Sequence, residues 1–377
     1  MRPEDVIGRL KEIARSIPFH GRDAVLGSMT TPPNPVAKEA FEMFQFINAN
    51  DLEMYRPIRE LELDVIRELG GYLGCGDRCS GYVTTGGSEA NLAALYLARE
   101  HGLRAVYYAA TVHHSIIKAA RLLGMKTVEV GMRGFRMDPS ALITACRSEG
   151  AGVVVATVGT TGVGSIDPVE ELSETAASCG SVVHVDAAYG GLVAPFLYAN
   201  RRLGFQSEVV MSVTVDPHKL GQAPIPSGGL IARDEDWFSP LEFEASYMPA
   251  GKQIGLLGTR SAGSVAAAWA ALKVLGPEGL KEQASRLMSL ARNLASAVES
   301  VGASIAHEPE VPIVCVRSDS DDALMRWLWE RGLYVYKCGV VKGVRAVMMP
   351  HVTDKVVSSL IGALRAAPDG LLKLHRQ

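Results

Sequence analysis

The sequence has no excess of charge of either sign. Its 38 Lys and Arg residues stand against 41 Asp and Glu residues, which gives a formal net charge of -3. Proteins that bind nucleic acids or anionic lipid surfaces do so through a positive field, which this composition does not supply. We therefore expect no nucleic-acid partner.

Long apolar runs are also missing. The longest weakly polar stretch, residues 262–276, is shorter than the roughly 20 residues that cross a bilayer, so it is better interpreted as a buried helix. The N-terminal stretch "MRPEDVIGRLKEIARS" places apolar residues at helical spacing among charged ones and lacks the apolar core of a signal peptide. The sequence predicts no membrane association and a cytoplasmic location.

Cysteine is sparse and scattered. The six cysteines are Cys75, Cys79, Cys146, Cys179, Cys315 and Cys338. This spacing predicts no disulfide framework. Cys75 and Cys79 are close in sequence but have no second pair of ligands, so we expect no metal site.

The length of 377 residues suits a large domain and a smaller one, since single cores stop growing near about 250 residues. We predict an N-terminal segment (1–50), a large domain (51–277) and a small C-terminal α+β domain (278–377).

Short apolar, β-branched runs alternate with helix-like stretches through the large domain. The runs include "AVYYAA", "AGVVVATVG", "GSVVHVDAAYGG" and "EVVMSVTVD". Such alternation is typical of a mainly parallel sheet that is covered by helices on both faces. The predicted fold class is therefore α/β.

Two segments place small or aromatic polar residues where a strand ends, the usual ligand position in an open α/β sheet. In "TTGGSEAN", Gly86 and Gly87 let the backbone approach an anion, and Ser88 begins a helix whose NH groups attract a phosphate. Ordinary helix capping explains this motif equally well. In "ATVHHSIIKAA", a histidine after a strand can stack on a flat aromatic ligand or be a surface residue.

Two further strand ends carry charge. Asp186 in "VVHVDAAYGG" ends an apolar strand, and a carboxylate at that depth needs a cationic partner or a protonated ring nitrogen. Lys219 in "VTVDPHKLG" follows another such strand, and a buried lysine becomes an amine nucleophile that forms an imine with a carbonyl. A phosphate cradle, a ring-nitrogen partner and an imine-forming lysine together indicate pyridoxal 5'-phosphate (PLP) as cofactor.

These segments, in this order, resemble the motifs of the fold-type-I group II pyridoxal-phosphate decarboxylases. "TTGGSEAN", "HHS", "VGTTGVGSIDP", "HVDAAYGG" and "VDPHKLG" carry the resemblance. "DPHKLGQAPIPSGG" and "GTRSAG" are most similar to the archaeal tyrosine/aspartate decarboxylase branch, and sphingosine-phosphate lyases are near relatives. The resemblance covers most of residues 25–350 and implies a seven-stranded, mainly parallel sheet.

The resemblance also implies roles for individual residues. Lys219, Asp186 and His114 would be catalytic: Lys219 holds the cofactor, Asp186 keeps its pyridine nitrogen protonated, and His114, rather than His113, stacks on the ring. The other cofactor-binding residues would be Gly87, Ser88, Thr161, Ala188, Thr214 and His218. Asp216 is left out of the phosphate set, because its charge would repel a phosphate.

Substrate contacts are less defined. Arg345 lies where related enzymes place an arginine for a substrate carboxylate, although a surface arginine on a strand explains it equally well. Arg260 has a similar claim, also from a partner subunit, since sites of this fold type form at a homodimer interface. The segment between Pro249 and Thr259 is shorter than the mobile catalytic loop of animal relatives. Tyr247 is therefore one candidate for the acid that reprotonates the α-carbon, and a buried structural tyrosine is the alternative.

The implied reaction is loss of CO2 from an L-amino acid, either L-aspartate to β-alanine or L-tyrosine to tyramine. Aspartate is slightly favoured, and its product would connect the protein with coenzyme A biosynthesis. Arg260 or Lys252 would supply the second cation that aspartate needs. The alternatives are a carbon–carbon lyase acting on a phosphorylated amino alcohol, transamination or desulfuration on the same fold, and a non-catalytic scaffold.

Overall fold

A computed structural model describes residues 1–368 and 370–373 of the chain. The predicted end of the small domain, at residue 377, lies outside these residues. No helix in the described part combines the length and the apolar character that a membrane crossing requires.

The described residues form twelve α-helices, two short 3₁₀-helices (Gly190–Leu192 and Ser239–Leu241) and sixteen strands. The helices are α1 (Pro3–Ser16), α2 (Pro35–Phe44), α3 (Arg56–Tyr72), α4 (Gly87–Glu100), α5 (His114–Leu122), α6 (Pro139–Glu149), α7 (Val169–Ser178), α8 (Ala194–Leu197), α9 (Glu235–Phe238), α10 (Ala262–Ser300), α11 (Asp321–Trp329) and α12 (Asp354–Arg365). The strands are β1 (Ala24–Val25), β2 (Ser80–Thr84), β3 (Ala105–Ala109), β4 (Lys126–Val130), β5 (Met132–Arg133), β6 (Arg136–Met137), β7 (Gly152–Thr157), β8 (Val182–Asp186), β9 (Val210–Val215), β10 (Gly228–Ala232), β11 (Glu242–Glu244), β12 (Lys252–Ile254), β13 (Ile313–Arg317), β14 (Leu333–Tyr334), β15 (Tyr336–Lys337) and β16 (Gly343–Val347).

Seven strands form the main sheet, in the order β2-β10-β9-β8-β7-β3-β4. Strands β4, β3, β7, β8 and β9 pair in parallel, whereas β10 runs antiparallel to both β9 and β2. Helices connect the parallel strands, as a parallel pair requires a long crossover. The predicted fold, a mainly parallel seven-stranded sheet in the α/β class, is confirmed.

Both faces of this sheet are buried, which explains its uninterrupted apolar runs. Along β7, Val153 and Val155 pack in a core cluster with residues of α4 and α5. The alternate residues Val154 and Ala156 pack in a second cluster with residues of α3, α6, α7 and α10. Polar side chains on these strands therefore lie mainly at the strand ends, and the few within the strands have hydrogen-bond partners.

A smaller three-stranded antiparallel sheet, in the order β13-β16-β15, follows α10. Helix α10 is broken at Gly276, where φ is 58°, immediately before Pro277. Glycine adopts this left-handed conformation at little steric cost, and proline then begins the second helical part. The break coincides with the predicted boundary at 277, although the division into domains stays a prediction. β1 pairs with β14 and so attaches the N-terminal segment to this part of the chain.

The prediction of no disulfide framework is wrong. The structure joins Cys75 to Cys79, Cys146 to Cys179 and Cys315 to Cys338, with Cα–Cα distances of 6.2, 6.3 and 5.9 Å. Two of these pairs are 33 and 23 residues apart in sequence. Packing of α6 beside α7 brings Cys146 to Cys179, and this proximity cannot be read from sequence spacing.

Replacing Cys146 and Cys179 together with alanine should lower the free energy of unfolding by roughly 3 kcal/mol, because the bond restricts the unfolded chain. Urea unfolding without reductant measures this change. An unchanged free energy of unfolding would mean that these two thiols are not bonded in the protein.

Candidate active site

The predicted strand ends meet around one cavity of about 400 Å³. It lies at the carboxyl ends of β7, β8 and β9, beside the N-terminus of α4. Its lining residues are Gly27, Ser28, Met29, Thr85, Gly86, Gly87, Ser88, Glu89, Asn91, His113, Thr157, Gly159, Thr161, Asp186, Ala188, Tyr189, Asp216, His218, Lys219, Tyr336 and Arg345.

The N-terminus of α4 forms one wall of the cavity. Glu89 bonds back to the Thr85 backbone N (2.7 Å) and Oγ1 (2.8 Å), which fixes the turn before the helix. A Cβ on Gly87 would lie 2.9 Å from Asp216 Oδ2 and 3.2 Å from the Ala188 Cβ. The close approach of these three segments therefore requires glycine. The first NH groups of a helix have no intrahelical acceptor, so this wall can bind an anion such as a phosphate.

Lys219 follows β9 in a tight turn, in which its backbone N donates to Asp216 O (3.0 Å). Its Nζ lies 3.0 Å from Asp216 Oδ2. The other oxygen of this buried carboxylate, Oδ1, has no hydrogen-bond partner within the described residues. His218 Nδ1 donates to Ser227 O (2.5 Å), so Nε2 faces the Asp216 side of the cavity, 3.8 Å from Oδ2. A buried acceptor without a partner is costly, and this indicates that a bound group completes the site.

Asp186 ends β8 with only 5% of its surface exposed. Its Oδ2 accepts a hydrogen bond from Asn91 Nδ2 (2.8 Å), and its Oδ1 accepts one from Ala188 N (3.1 Å). Both donors are neutral, and no basic side chain in the described part of the chain lies within ion-pair distance of this carboxylate. A buried carboxylate in this state provides a strong site for a cation, such as a protonated ring nitrogen.

A second layer of hydrogen bonds fixes Asn91. Its Oδ1 accepts from Thr214 Oγ1 (2.9 Å) and from His184 Nε2 (3.0 Å), while His184 Nδ1 lies 2.9 Å from Ser212 Oγ. Burial lowers the pKa of His184 to about 4, so the ring is neutral at pH 7. Because an amide oxygen only accepts, His184 carries its proton on Nε2 and the Asn91 NH₂ group must point to Asp186.

Sequence reasoning missed Asn91, His184 and Ser212 and gave Thr214 a different role. Thr214 is fully buried in this layer and does not line the cavity, so its predicted place at the phosphate is corrected. The sequence does contain one signal for these residues: along β8 and β9, polar residues occur at every second position. His184 lies opposite Ser212, and Asp186 lies opposite Thr214, in the register of β8 and β9.

The prediction for the stacking histidine is also corrected. His113 lines the cavity, whereas His114 is exposed and begins α5. His113 Nδ1 accepts from Ser115 N (3.4 Å) and lies 2.9 Å from Ser115 Oγ, so the ring caps the helix. Burial lowers the pKa of His113. The two rings lie in contact, with centroids 4.1 Å apart, but only the His113 ring lines the cavity among the described residues.

Arg345 reaches the cavity from β16. Its Nη1 donates to Thr161 O (2.6 Å) and its Nη2 to Gly27 O (3.3 Å), while Cζ lies 5.9 Å from the Tyr336 ring centroid. Burial lowers the pKa of Arg345, but a guanidinium remains charged at neutral pH. Of the three predicted substrate residues, Arg345 is the one that the structure brings to the cavity.

Arg260 and Tyr247 lie elsewhere. The Arg260 guanidinium is buried under β2, where it pairs with both oxygens of Glu62 and donates from Nε to Asn50 Oδ1 (3.0 Å). Burial opposes ionisation of Glu62, but Arg260 and Arg59 hold the pKa of Glu62 below its ordinary value. Arg260 therefore does not line the cavity, and its predicted contact with the substrate is corrected for the site of this chain. Tyr247 lies between β11 and β12, is 80% exposed and does not line the cavity.

Comparison with known proteins agrees with this geometry. Residues 47–319 match the model of the pyridoxal-dependent decarboxylase conserved domain. The chain is 36% identical over 378 residues to a probable L-tyrosine/L-aspartate decarboxylase of Methanothrix thermoacetophila, with 97% of this chain and 95% of the relative covered. It is 35% identical over 366 residues to a probable L-aspartate decarboxylase of Archaeoglobus fulgidus, covering 96% and 98%.

Among solved structures, the sphingosine-1-phosphate lyase of Burkholderia pseudomallei matches with a TM-score of 0.88 and 22% identity, over 98% of this chain and 91% of that one. Identity at this level shows a shared fold.

The chain belongs to the pyridoxal-dependent decarboxylase family. It is a PLP-dependent amino-acid decarboxylase, which confirms the predicted family, cofactor and reaction type.

Replacing Asn91 with alanine should weaken PLP binding about tenfold or more, because the buried Asp186 carboxylate, which would pair with the ring nitrogen, loses its amide donor. Titration of the cofactor-free protein with PLP, followed by absorbance, gives the affinity. Asn200→Ala is the matched control, because Asn200 is exposed and does not line this cavity. Equal affinities in the two variants would contradict the role given to Asn91.

Proposed function

We propose that this protein decarboxylates L-aspartate to β-alanine and CO2. The observation that carries the proposal is Arg345, a charged guanidinium held by two backbone carbonyls at the cavity. A carboxylate that leaves as CO2 loses its charge in the transition state, so an ion pair to that group would stabilise the ground state and slow the reaction. Arg345 therefore fits a carboxylate that remains, which is the side-chain carboxylate of aspartate.

Other residues of the cavity support the holding of the cofactor. We propose that Lys219 binds it covalently, that Asp186 pairs with its ring nitrogen, and that His113 and Ala188 lie against the two faces of the ring. The N-terminus of α4, at Gly87 and Ser88, and His218 would hold the phosphate.

PLP supplies, when bound, a ring that accepts the electrons released as CO2 departs. Asp186 favours this step because its buried negative charge keeps the proton on the ring nitrogen, where charge demand is greatest in the transition state. Asp216 lies within 3.0 Å of Lys219 Nζ and holds the amine in the cavity. We propose that this amine, once released from the cofactor, returns the proton to the α-carbon, a role for which Tyr247, outside the cavity, is not needed.

L-Tyrosine is a second candidate. Tyr336 and Met29 line the cavity, and an aromatic substrate would pack against them. L-Tyrosine has no side-chain carboxylate that could pair with Arg345, so the Arg345 charge would then serve only the cation–π contact to Tyr336. The fold shared with a sphingosine-1-phosphate lyase gives no argument about substrate at 22% identity.

We also propose that the protein acts as a cytoplasmic homodimer in the supply of β-alanine for coenzyme A biosynthesis. Exposed apolar side chains support association of two copies. Helix α1 buries none of its residues, and its apolar side chains Leu10 and Ile7 are 56% and 51% exposed. Phe46 is 82% exposed. Apolar surface of this kind marks protein contacts when it is contiguous.

The test is an assay of purified protein with PLP and, in turn, L-aspartate, L-tyrosine, L-glutamate and a sphingoid phosphate, in which CO2 and amine products are recorded. We expect CO2 and β-alanine from aspartate. The Arg345→Met variant should lower kcat/KM for aspartate about a hundredfold or more, since a buried charge-assisted hydrogen bond is lost, and should affect tyrosine little.

Lys252→Met is the matched control, because Lys252 is half exposed and pairs with Glu242 (2.7 Å) outside the cavity. Tyramine as the main amine, or an aldehyde from the sphingoid phosphate, would contradict the assignment of aspartate.

A further inference from the structure

Arg345 is the central residue of a short run across the small sheet. In the register of the three strands, Cys315 on β13 and Tyr336 on β15 both lie directly opposite Arg345 on β16. Residues that are directly opposite each other in antiparallel strands project from the same face. Cys315, Arg345 and Tyr336 therefore belong to one face of the sheet.

The chain after β15 does not continue in the plane of this sheet. Outer strands of a three-stranded sheet are two strand spacings apart, about 10 Å. The Cα atoms of Cys315 and Cys338 are only 5.9 Å apart, so the chain at Cys338 curls over β16. Gly343, at the start of β16, lets β13 approach closely, since a Cβ there would overlap the Val316 carbonyl oxygen.

The disulfide that closes this curl supports the Arg345 contact from both sides. Through Cys315 it joins the strand next to Arg345. Through Cys338 it reaches the large domain, because a Cβ on Gly162 would overlap the Cys338 carbonyl oxygen. Gly162 follows Thr161, whose carbonyl accepts the 2.6 Å hydrogen bond from Arg345 Nη1. Both cysteines are buried, in a cluster with Val163.

We propose that Cys315 and Cys338 are positioning residues for substrate recognition, and that their disulfide holds Arg345 and Tyr336 in register against the Thr161–Gly162 turn. The inference rests on the proposed role of Arg345 in binding the side-chain carboxylate of aspartate. Without the bond, the curled segment is free to relax, and the guanidinium loses its fixed position while Lys219 and Asp186 keep theirs.

The test compares two crosslink-free variants, Cys315→Ala/Cys338→Ala and Cys146→Ala/Cys179→Ala. The bonds join residues 23 and 33 positions apart, so their removal should cause similar losses of stability. We expect the first variant to raise KM for aspartate about tenfold with less than a twofold change in kcat, because loosened positioning acts on binding. The second should leave both constants unchanged, and PLP affinity should stay the same in both.

A second measurement covers the case in which the first variant does not fold. In a background with Cys75, Cys79, Cys146 and Cys179 replaced by alanine, a phosphine reductant and one water molecule convert the remaining disulfide to two thiols, and the phosphine becomes the phosphine oxide. Alkylation of the denatured protein and mass spectrometry count the thiols. KM should rise on reduction and return after reoxidation with diamide, which is reduced as the bond re-forms.

Free thiols at Cys315 and Cys338 in the untreated protein, or an unchanged KM after loss of the bond, would overturn the inference. These outcomes are distinct from failure of the proposed function. If the wild-type protein releases no CO2 from aspartate, the substrate assignment has failed, whereas normal wild-type turnover with an unchanged KM in the crosslink-free protein removes only the role of the disulfide.

Discussion

The structure of the site depends on one buried carboxylate, Asp186, which has no basic side chain within ion-pair distance in the described part of the chain. Two neutral donors hold it, the Asn91 amide and the Ala188 backbone NH. The chain maintains this arrangement through a layer in which neutral His184, Thr214 and Asn91 can adopt only one hydrogen-bond direction. Asp186 would hold the ring nitrogen of the cofactor, and because its donors are already in place the pairing would need little reorganisation.

The parallel sheet explains why these groups converge. The carboxyl ends of β7, β8 and β9 lie at one edge, so Thr157, Asp186 and the turn to Lys219 meet there although they are far apart in sequence. The small sheet adds Arg345 from the other side of the cavity. We propose that the large sheet holds the cofactor and that the small sheet contributes the charge that selects the substrate.

Much of this arrangement follows from local sequence patterns, because a strand that ends in Asp or leads to Lys is visible in one segment. The alternation of apolar runs and helices predicts the sheet, and Asp186, Lys219, Gly87 and Arg345 all reach the cavity as expected. The misses have a common cause, which is dependence on three-dimensional register. Asn91 reaches Asp186 only because α4 packs against β8 and β9. His113 and His114 differ only by the turn at the start of α5. Arg260 pairs with Glu62, which is 198 residues away in the sequence. Two of the disulfides also join segments that are distant in sequence, so no local pattern identifies the ion pair or these disulfides.

The most direct measurement is the turnover and PLP affinity of the Asp186→Ala variant, with aspartate as substrate. If the buried charge acts mainly in the transition state, kcat at saturating PLP should fall by about two to three orders of magnitude, well beyond the roughly tenfold weakening of PLP binding that loss of the ring-nitrogen partner causes. Lys219 would still bind the cofactor, so the characteristic absorbance of the bound cofactor should remain. Undiminished CO2 release from aspartate in this variant would contradict the account.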